Sequence, residues 1–274
     1  MPDFSLLGGA NRFESVGPDT ADSRGTDVTA SGTINTKGSY VQLTAASGID
    51  AQGIWVILTS GNNAANCLVD IAVGAAASEQ DIVSNLMLPV KHNAGAGANI
   101  PIHVALGSRI SARAQSSSVS DVINIAIQLM GNTLTSSSAL GRCTTYGANT
   151  ADSGGTEIDP GASANTKGAY VQIDGAISNP IKNMIVAVSP SGSNGQLTTA
   201  GWLIDVAVGA AASEQVVISN LFVMTNGVHD TINPPLLGPF PVNIPSGSRI
   251  AVRAQSDTID ATDRLFDVAI YGLD

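Results

Sequence analysis

Charge, aromatic rings and cysteine are all scarce in this chain. Of its 274 residues, 12% are charged and 4% aromatic, with two cysteines and three histidines. Two cysteines cannot supply a disulfide framework. His92, His103 and His229 are scattered, and no HExxH, CxxC or Gly-x-Ser-x-Gly elbow accompanies them. No catalytic residue, metal ligand or cofactor is therefore expected, and the protein is not expected to be an enzyme. Only 12 Lys and Arg stand against 22 acids, for a net charge of −10. Nucleic acid is excluded as a partner because phosphate recognition needs clustered cations, and an anionic membrane surface is excluded for the same reason. No apolar run approaches the roughly eighteen residues of a membrane span. Met1-Pro2-Asp3 places an acid where a secretory signal carries positive charge. The expectation is a protein kept soluble in the cytoplasm until it is assembled into something. A helical stripe is also missing. The nearest approach, Gly74 to Gln80, fits one helical turn or a tight crossing between strands.

What the chain does contain is itself, nearly twice. VDIAVGAAASEQ at Val69 to Gln80 returns as IDVAVGAAASEQ at Ile204 to Gln215, and SRISARAQS at Ser108 to Ser116 returns as SRIAVRAQS at Ser248 to Ser256. The offset between copies is 130 at Thr20-Ala21-Asp22-Ser23 against Thr150-Ala151-Asp152-Ser153. It rises to 135 at the Ala-Ser-Glu-Gln block, 140 at the arginine block and 143 at Asn124-Ile125-Ala126-Ile127 against Asp267-Val268-Ala269-Ile270. The steps fall near Ser189 to Gly195 and near Asn233-Pro234-Pro235, both turn-forming, so length changes sit in loops and the flanking blocks are framework. A period this long is a whole domain, because solenoid repeats run roughly 20–50 residues. The division expected is an arm at 1–10, repeat 1 at 11–131, a Ser/Thr linker at 132–140 and repeat 2 at 141–274.

Local patterning reads as strand nearly throughout. In repeat 1 seven strands are expected at 39–44, 53–59, 67–73, 81–88, 100–105, 108–115 and 122–130, with room for one earlier. Strands at this spacing point to an all-β fold of two tandem homologous antiparallel β-sandwiches, of jelly-roll or Greek-key connectivity. The scarcity of rings leaves cores of Val, Ile, Leu and Ala, with Trp55 and Trp202 read as core residues because both sit in apolar runs. Cys67 aligns with Trp202 and Cys143 with Phe13, so each cysteine replaces a large apolar residue and is read as a buried neutral thiol.

In so weakly charged a chain, the paired arginines need explaining. Side chains alternate along a strand, so Arg249, Arg253 and Gln255 share one face, as do Arg109, Arg113 and Gln115. Asp70 and Glu79 in repeat 1, and Asp205 and Glu214 in repeat 2, are the acids retained at equivalent positions. A local arginine–carboxylate network anchoring a strand or turn is the leading reading, since the guanidinium fork binds carboxylates in two places. A contact between domains or subunits comes second, and an anionic ligand third. The run Asp257 to Asp263 lacks the spacing of a calcium loop and reads as a solvated hairpin.

The IDVAVGAAASEQ block, with Ile218-Ser219-Asn220-Leu221 and Ile244-Pro245-Ser246-Gly247-Ser248-Arg249-Ile250, resembles segments of structural proteins from tailed-bacteriophage particles. The resemblance covers the central blocks of both repeats, about half the chain. It implies a virion component, a capsid decoration or a piece of the tail or its fibres, with other virion proteins and further copies of itself as partners, and with the arm as an assembly contact. The alternative is a carbohydrate-binding adhesin module recognising a host-surface glycan. Against it stands the lack of an evident aromatic platform.

Overall fold

The structure, a computed structural model, describes residues 12–60, 66–87, 96–131, 141–191, 200–225, 232–261 and 263–274. The expected arm, the linker, His92 and His229 lie outside the described residues. Twenty strands and no helix occur among them. Repeat 1 holds β1 (Arg12–Val16), β2 (Pro18–Asp19), β3 (Arg24–Thr29), β4 (Val41–Thr44), β5 (Gly53–Ser60), β6 (Cys67–Val73), β7 (Gln80–Met87), β8 (Ala96–Ile100), β9 (Ile110–Ser116) and β10 (Val122–Gly131). Repeat 2 holds β11 (Cys143–Tyr146), β12 (Thr156–Ile158), β13 (Val171–Asp174), β14 (Ile181–Pro190), β15 (Gly201–Val208), β16 (Gln215–Thr225), β17 (Ile232–Asn233), β18 (Leu236–Ile244), β19 (Ile250–Ser256) and β20 (Phe266–Leu273). The strand expected at 100–105 lies earlier, ending at Ile100; beyond it Ile102 and Val104 form only bridges, that of Val104 to Ala51. Gly74 to Gln80 is a β6–β7 turn and not a helical one, with Gly74 at φ 116 and Ala77 at φ 65.

Each repeat is a sandwich, and the two are built alike down to their strained residues. Positive φ recurs at Ser23 and Ser153, Asn35 and Asn165, Ala77 and Ala212, and Asn85 and Asn220, with each pair agreeing within a few degrees. An unfavourable conformation repeated at matched positions reflects one shared backbone path. One sheet of repeat 1 runs β2-β3-β10-β5-β8, with β1 also on β10; one sheet of repeat 2 runs β13-β19-β15-β16-β17.

Between them lies the departure from two independent sandwiches. The second sheet of repeat 1, β4-β9-β6-β7, continues into repeat 2 as β11-β20-β14-β18, and with β12 also on β20 it forms one nine-stranded sheet. The joint is a single parallel bridge, Cys143 to Val83, in an otherwise antiparallel fold. The period-two alternation of β14 and β20 then serves two cores at once. Met184, Val186, Val188, Phe266, Val268 and Ile270 enter the core of repeat 2. Ile185, Ala187, Ala269, Tyr271 and Leu273 enter the core of repeat 1. Every residue of β20 is consequently buried.

Trp202 is a core residue, packed on Phe266 with ring centroids 5.4 Å apart and its indole N–H donated to the Arg264 carbonyl at 2.8 Å. Trp55 is not. It lies on the outer face of β5 and is 48% exposed, so an apolar run around a tryptophan did not place it inside. In a strand, neighbours in sequence point to opposite faces, and Ile54 and Val56 take the inner one.

Candidate functional site

The eight charged residues singled out by the repeat fall into two constellations, each present twice. In the first, Arg109 donates from Nη1 to the Gly74 carbonyl (3.1 Å) and Glu79 Oε1 (3.0 Å), and from Nε to Gln42 (2.9 Å). Arg249 does the same with Gly209, Glu214 and Gln172 at 3.1, 2.9 and 3.0 Å. One guanidinium thus holds both ends of the Gly-Ala-Ala-Ala-Ser-Glu turn. That clamp gives the strongly repeated block a geometric reason, because the turn needs its glycine, its positive-φ alanine and its glutamate together.

The second constellation lies on the outer face of the β6–β9 pair. Asp70 stands opposite Arg113 across the ladder, receives Nε at 2.7 Å and takes Lys37 Nζ at 2.7 Å. It also accepts the Asn85 N–H at 2.7 Å. Asp205 is held likewise by Arg253, Lys167 and the Asn220 N–H at 3.0, 2.8 and 2.9 Å. Tyr40 and Tyr170 lie under the guanidiniums of Arg113 and Arg253, at 4.5 and 4.6 Å. Sequence reasoning named the arginines and acids but missed Lys37, Lys167, Tyr40 and Tyr170. Their signal was available in the Asn-Thr-Lys-Gly and Tyr-Val-Gln blocks that recur at offset 130.

The networks differ in one member. Repeat 1 adds Asp81, which accepts from Arg113 at 3.3 Å and from the Tyr40 hydroxyl at 2.5 Å; the matching residue in repeat 2 is Val216. Burial raises the Asp81 carboxyl despite the Tyr40 hydrogen bond. Burial pushes Asp205 upward too, but Lys167, the Asn220 N–H and Arg253 outweigh it and hold the carboxyl below its ordinary value. Burial lowers Lys37 despite its pairing with Asp70. All these groups are engaged with one another inside a single sandwich.

Cys67 and Cys143 are free and buried, and desolvation pushes both thiols up to about 12, so neither is a nucleophile at neutral pH. The expected hairpin, described from Asp257 to Ala261 and again from Asp263, lies between β19 and β20, where Asp260 accepts the Asp263 N–H. No group of three metal-ligating side chains occurs among the described residues.

Polar contacts also cross between the repeats. The Tyr271 hydroxyl donates to the Met87 carbonyl (2.7 Å) and accepts the Met87 N–H (2.8 Å). The turn Thr150-Ala151-Asp152-Ser153 plugs into repeat 1. Asn35 donates to the Ala151 carbonyl and accepts from Ser153, while Gln115 donates to the Thr150 carbonyl and to Ser153 Oγ at 3.1 and 3.0 Å. Ser153 is fully buried there. Beside this junction opens a cavity of about 610 Å³ whose lining includes Asn85, Asn149, Asp152 and Asp267. Two of its acids are engaged by turn groups: Asp152 by Asn149 Nδ2 and the Gly154 N–H, Asp267 by the Gly155 N–H. A second, smaller groove of about 340 Å³ runs from Trp55, Gly97 and Asn99 to Ile185 and Leu236. The Trp55 indole lies against Gly97, where a Cβ would come within 2.6 Å of the indole nitrogen.

No family model matches the chain, and no curated protein matches it in sequence. Among solved structures it is similar to PNGF-II, at 10% identity and TM-score 0.38, over 95% of this chain and 65% of that one. It thus spans about two thirds of that protein's length. It is also similar to the CBM22-1–CBM22-2 tandem domain of Paenibacillus barcinonensis Xyn10C, at 10% identity and TM-score 0.27, over 97% of this chain and 93% of that one. With scores this low, neither likeness carries a property over to this chain.

Proposed function

We propose that the protein acts by contact, not turnover, as a structural component of a virus particle of the tailed-phage kind, attached to capsid or tail through protein–protein surfaces. The observation that carries the reading is the closed state of its charged groups. Asp70, Arg113, Asp205 and Arg253 are consumed in holding strands, and Arg109, Glu79, Arg249 and Glu214 in holding turns. Such networks brace a sheet against load. The shared nine-stranded sheet adds to this, since a doublet built on one sheet presents its two outer ends at a fixed spacing. Mass spectrometry of purified particles tests the reading: the protein is expected in constant ratio to the major capsid or tail protein. Particles that lack it overturn the reading.

A second reading, carbohydrate binding, is favoured by Trp55. An indole exposed on a sheet face beside Asn99, lining a groove, offers the flat apolar platform and neighbouring polar group that a sugar ring needs. On a glycan array the wild type would then bind and Trp55→Ala would not. Equal signals from both, or none from either, end this second reading.

A further inference from the structure

The junction between the repeats has two sides, and each repeat carries both, so among the described residues one copy of each has no partner. On the plug side, repeat 2 inserts Ser153 of its Thr-Ala-Asp-Ser turn and lays down Cys143, Ile185, Ala187, Ala269, Tyr271 and Leu273, all buried. Repeat 1 has the same four-residue turn, Thr20-Ala21-Asp22-Ser23, with the same left-handed serine, and there Ser23 is exposed where Ser153 is buried. Beside it the matching sheet face shows Phe13, Trp55, Ile57, Ala126, Gln128 and Met130. The register places Trp55 opposite Gln128 as it places Ile185 opposite Tyr271. Phe13 is 61% exposed where Cys143 is 3%.

The socket side repeats the pattern. Repeat 1 receives the turn on Asn35 and Gln115 and receives β11 along the edge of β7. In repeat 2 the equivalents Asn165 and Gln255 line an open pocket of about 210 Å³, together with Phe222. Phe222 occupies the place of Met87 and is 58% exposed where Met87 is 2%. Among the described residues, none pairs with the edge of β16 before Met224 on the side away from β15. Four of the eleven exposed large apolar side chains among the described residues, Phe13, Trp55, Ile57 and Phe222, lie on these two surfaces.

We propose that copies of this chain join head to tail. The Thr20–Ser23 turn and the β1–β10–β5 face of one copy enter the Asn165–Gln255 pocket and the β16 edge of the next. The contact reproduces between chains the junction already present within one. Phe13 lies beside Ile218 as Cys143 lies beside Val83, and Gln128, whose amide both donates and accepts, takes the role of the Tyr271 hydroxyl toward the backbone of Phe222. A contact between unlike faces propagates until it closes as a ring or runs on as a fibre. Such a contact supplies a partner for the assembly reading above and rests on that reading for its purpose only.

Light scattering after size exclusion tests it with the full chain and two surface variants, Ala21→Trp on the plug side and Phe222→Asp on the socket side. The wild type is expected to run at multiples of the single-chain mass, each variant alone at the single-chain mass, and an equal mixture of the two as a dimer, because one intact plug still meets one intact socket. Oxidation of the double variant Ser23→Cys/Asn165→Cys is expected to give covalent multimers, a readout that does not depend on either bulky substitution folding. A wild type that stays single up to its solubility limit, or that resists both variants and gives no crosslinked multimers, overturns the proposal. Monomers that still co-purify with particles remove this contact alone, whereas assembling protein absent from particles removes the particle reading alone.

Discussion

The two repeats share their charged skeleton and differ on their skins. Arg109 and Arg249 clamp the same turn, and Asp70 and Asp205 gather the same lysine, arginine and backbone N–H. Yet Met87 is buried and Phe222 is not; Cys143 is buried and Phe13 is not. Identity is retained where a strained turn or a buried charge admits few solutions. Divergence appears where one copy faces protein and the other faces outward. Even there the outward surfaces keep large apolar residues, which a surface meant only for water does not require.

The charged skeleton offers the largest effect by which to break the comparison. Asp205→Ala strands Lys167 and Arg253 without a carboxylate and is expected to cost about 3 kcal/mol in a denaturant titration. Asp70→Ala should cost less, because Asp81 still faces Arg113. Placing Asp70→Ala in an Asp81→Val background copies the repeat 2 arrangement, and the two costs should then converge. If they stay apart, the networks are not equivalent.

The skins give the next effect. Tyr271→Phe leaves the Met87 N–H and carbonyl without their hydroxyl partner and is expected to cost about 2 kcal/mol, read as a lower midpoint in the same titration. Gln128→Ala, at the outward equivalent, should shift the stability of a single copy by less than about 0.5 kcal/mol. Because β14 and β20 belong to both cores, calorimetry of a single-chain variant such as Phe222→Asp should show one unfolding transition, and two separated peaks would contradict the shared sheet.

Acid gives the smallest effect, with opposite signs in the two repeats. Asp205 has a depressed folded value, so its contribution is complete above the unfolded value of about 4 and is lost as pH falls through the folded one. Asp81 has a raised folded value, so protonation on acidification favours the fold. Midpoint against pH should therefore fall less steeply in acid for Asp205→Asn than for the wild type. For Asp81→Asn it should fall more steeply.

Most of the framework was legible from the repeated blocks. The seven expected strands of repeat 1 correspond to β4 through β10, misplaced only at β8, where Pro101 and the isolated Val104 bridge follow a strand that begins in the small residues Ala96-Gly97-Ala98. The eight charged residues were found because alternation and identity both marked them. Lys37 and Tyr40 were missed because they precede β4 and reach the network through a loop that periodicity does not describe. Trp55 was misjudged for a related reason: local hydrophobicity says that a strand has apolar neighbours, not which face has a partner.

The sequence by itself determined a doubled all-β chain, the turns that interrupt it and the arginine–carboxylate pairs that tie it, because each depends on residues near in sequence or marked by repetition. Only the tertiary structure decided that the sandwiches share a sheet and that one set of matching faces is buried while the other lies open. That outcome turns on which strand edges meet. Edge pairing runs through backbone N–H and carbonyl groups that every residue carries, so side-chain patterns do not encode it.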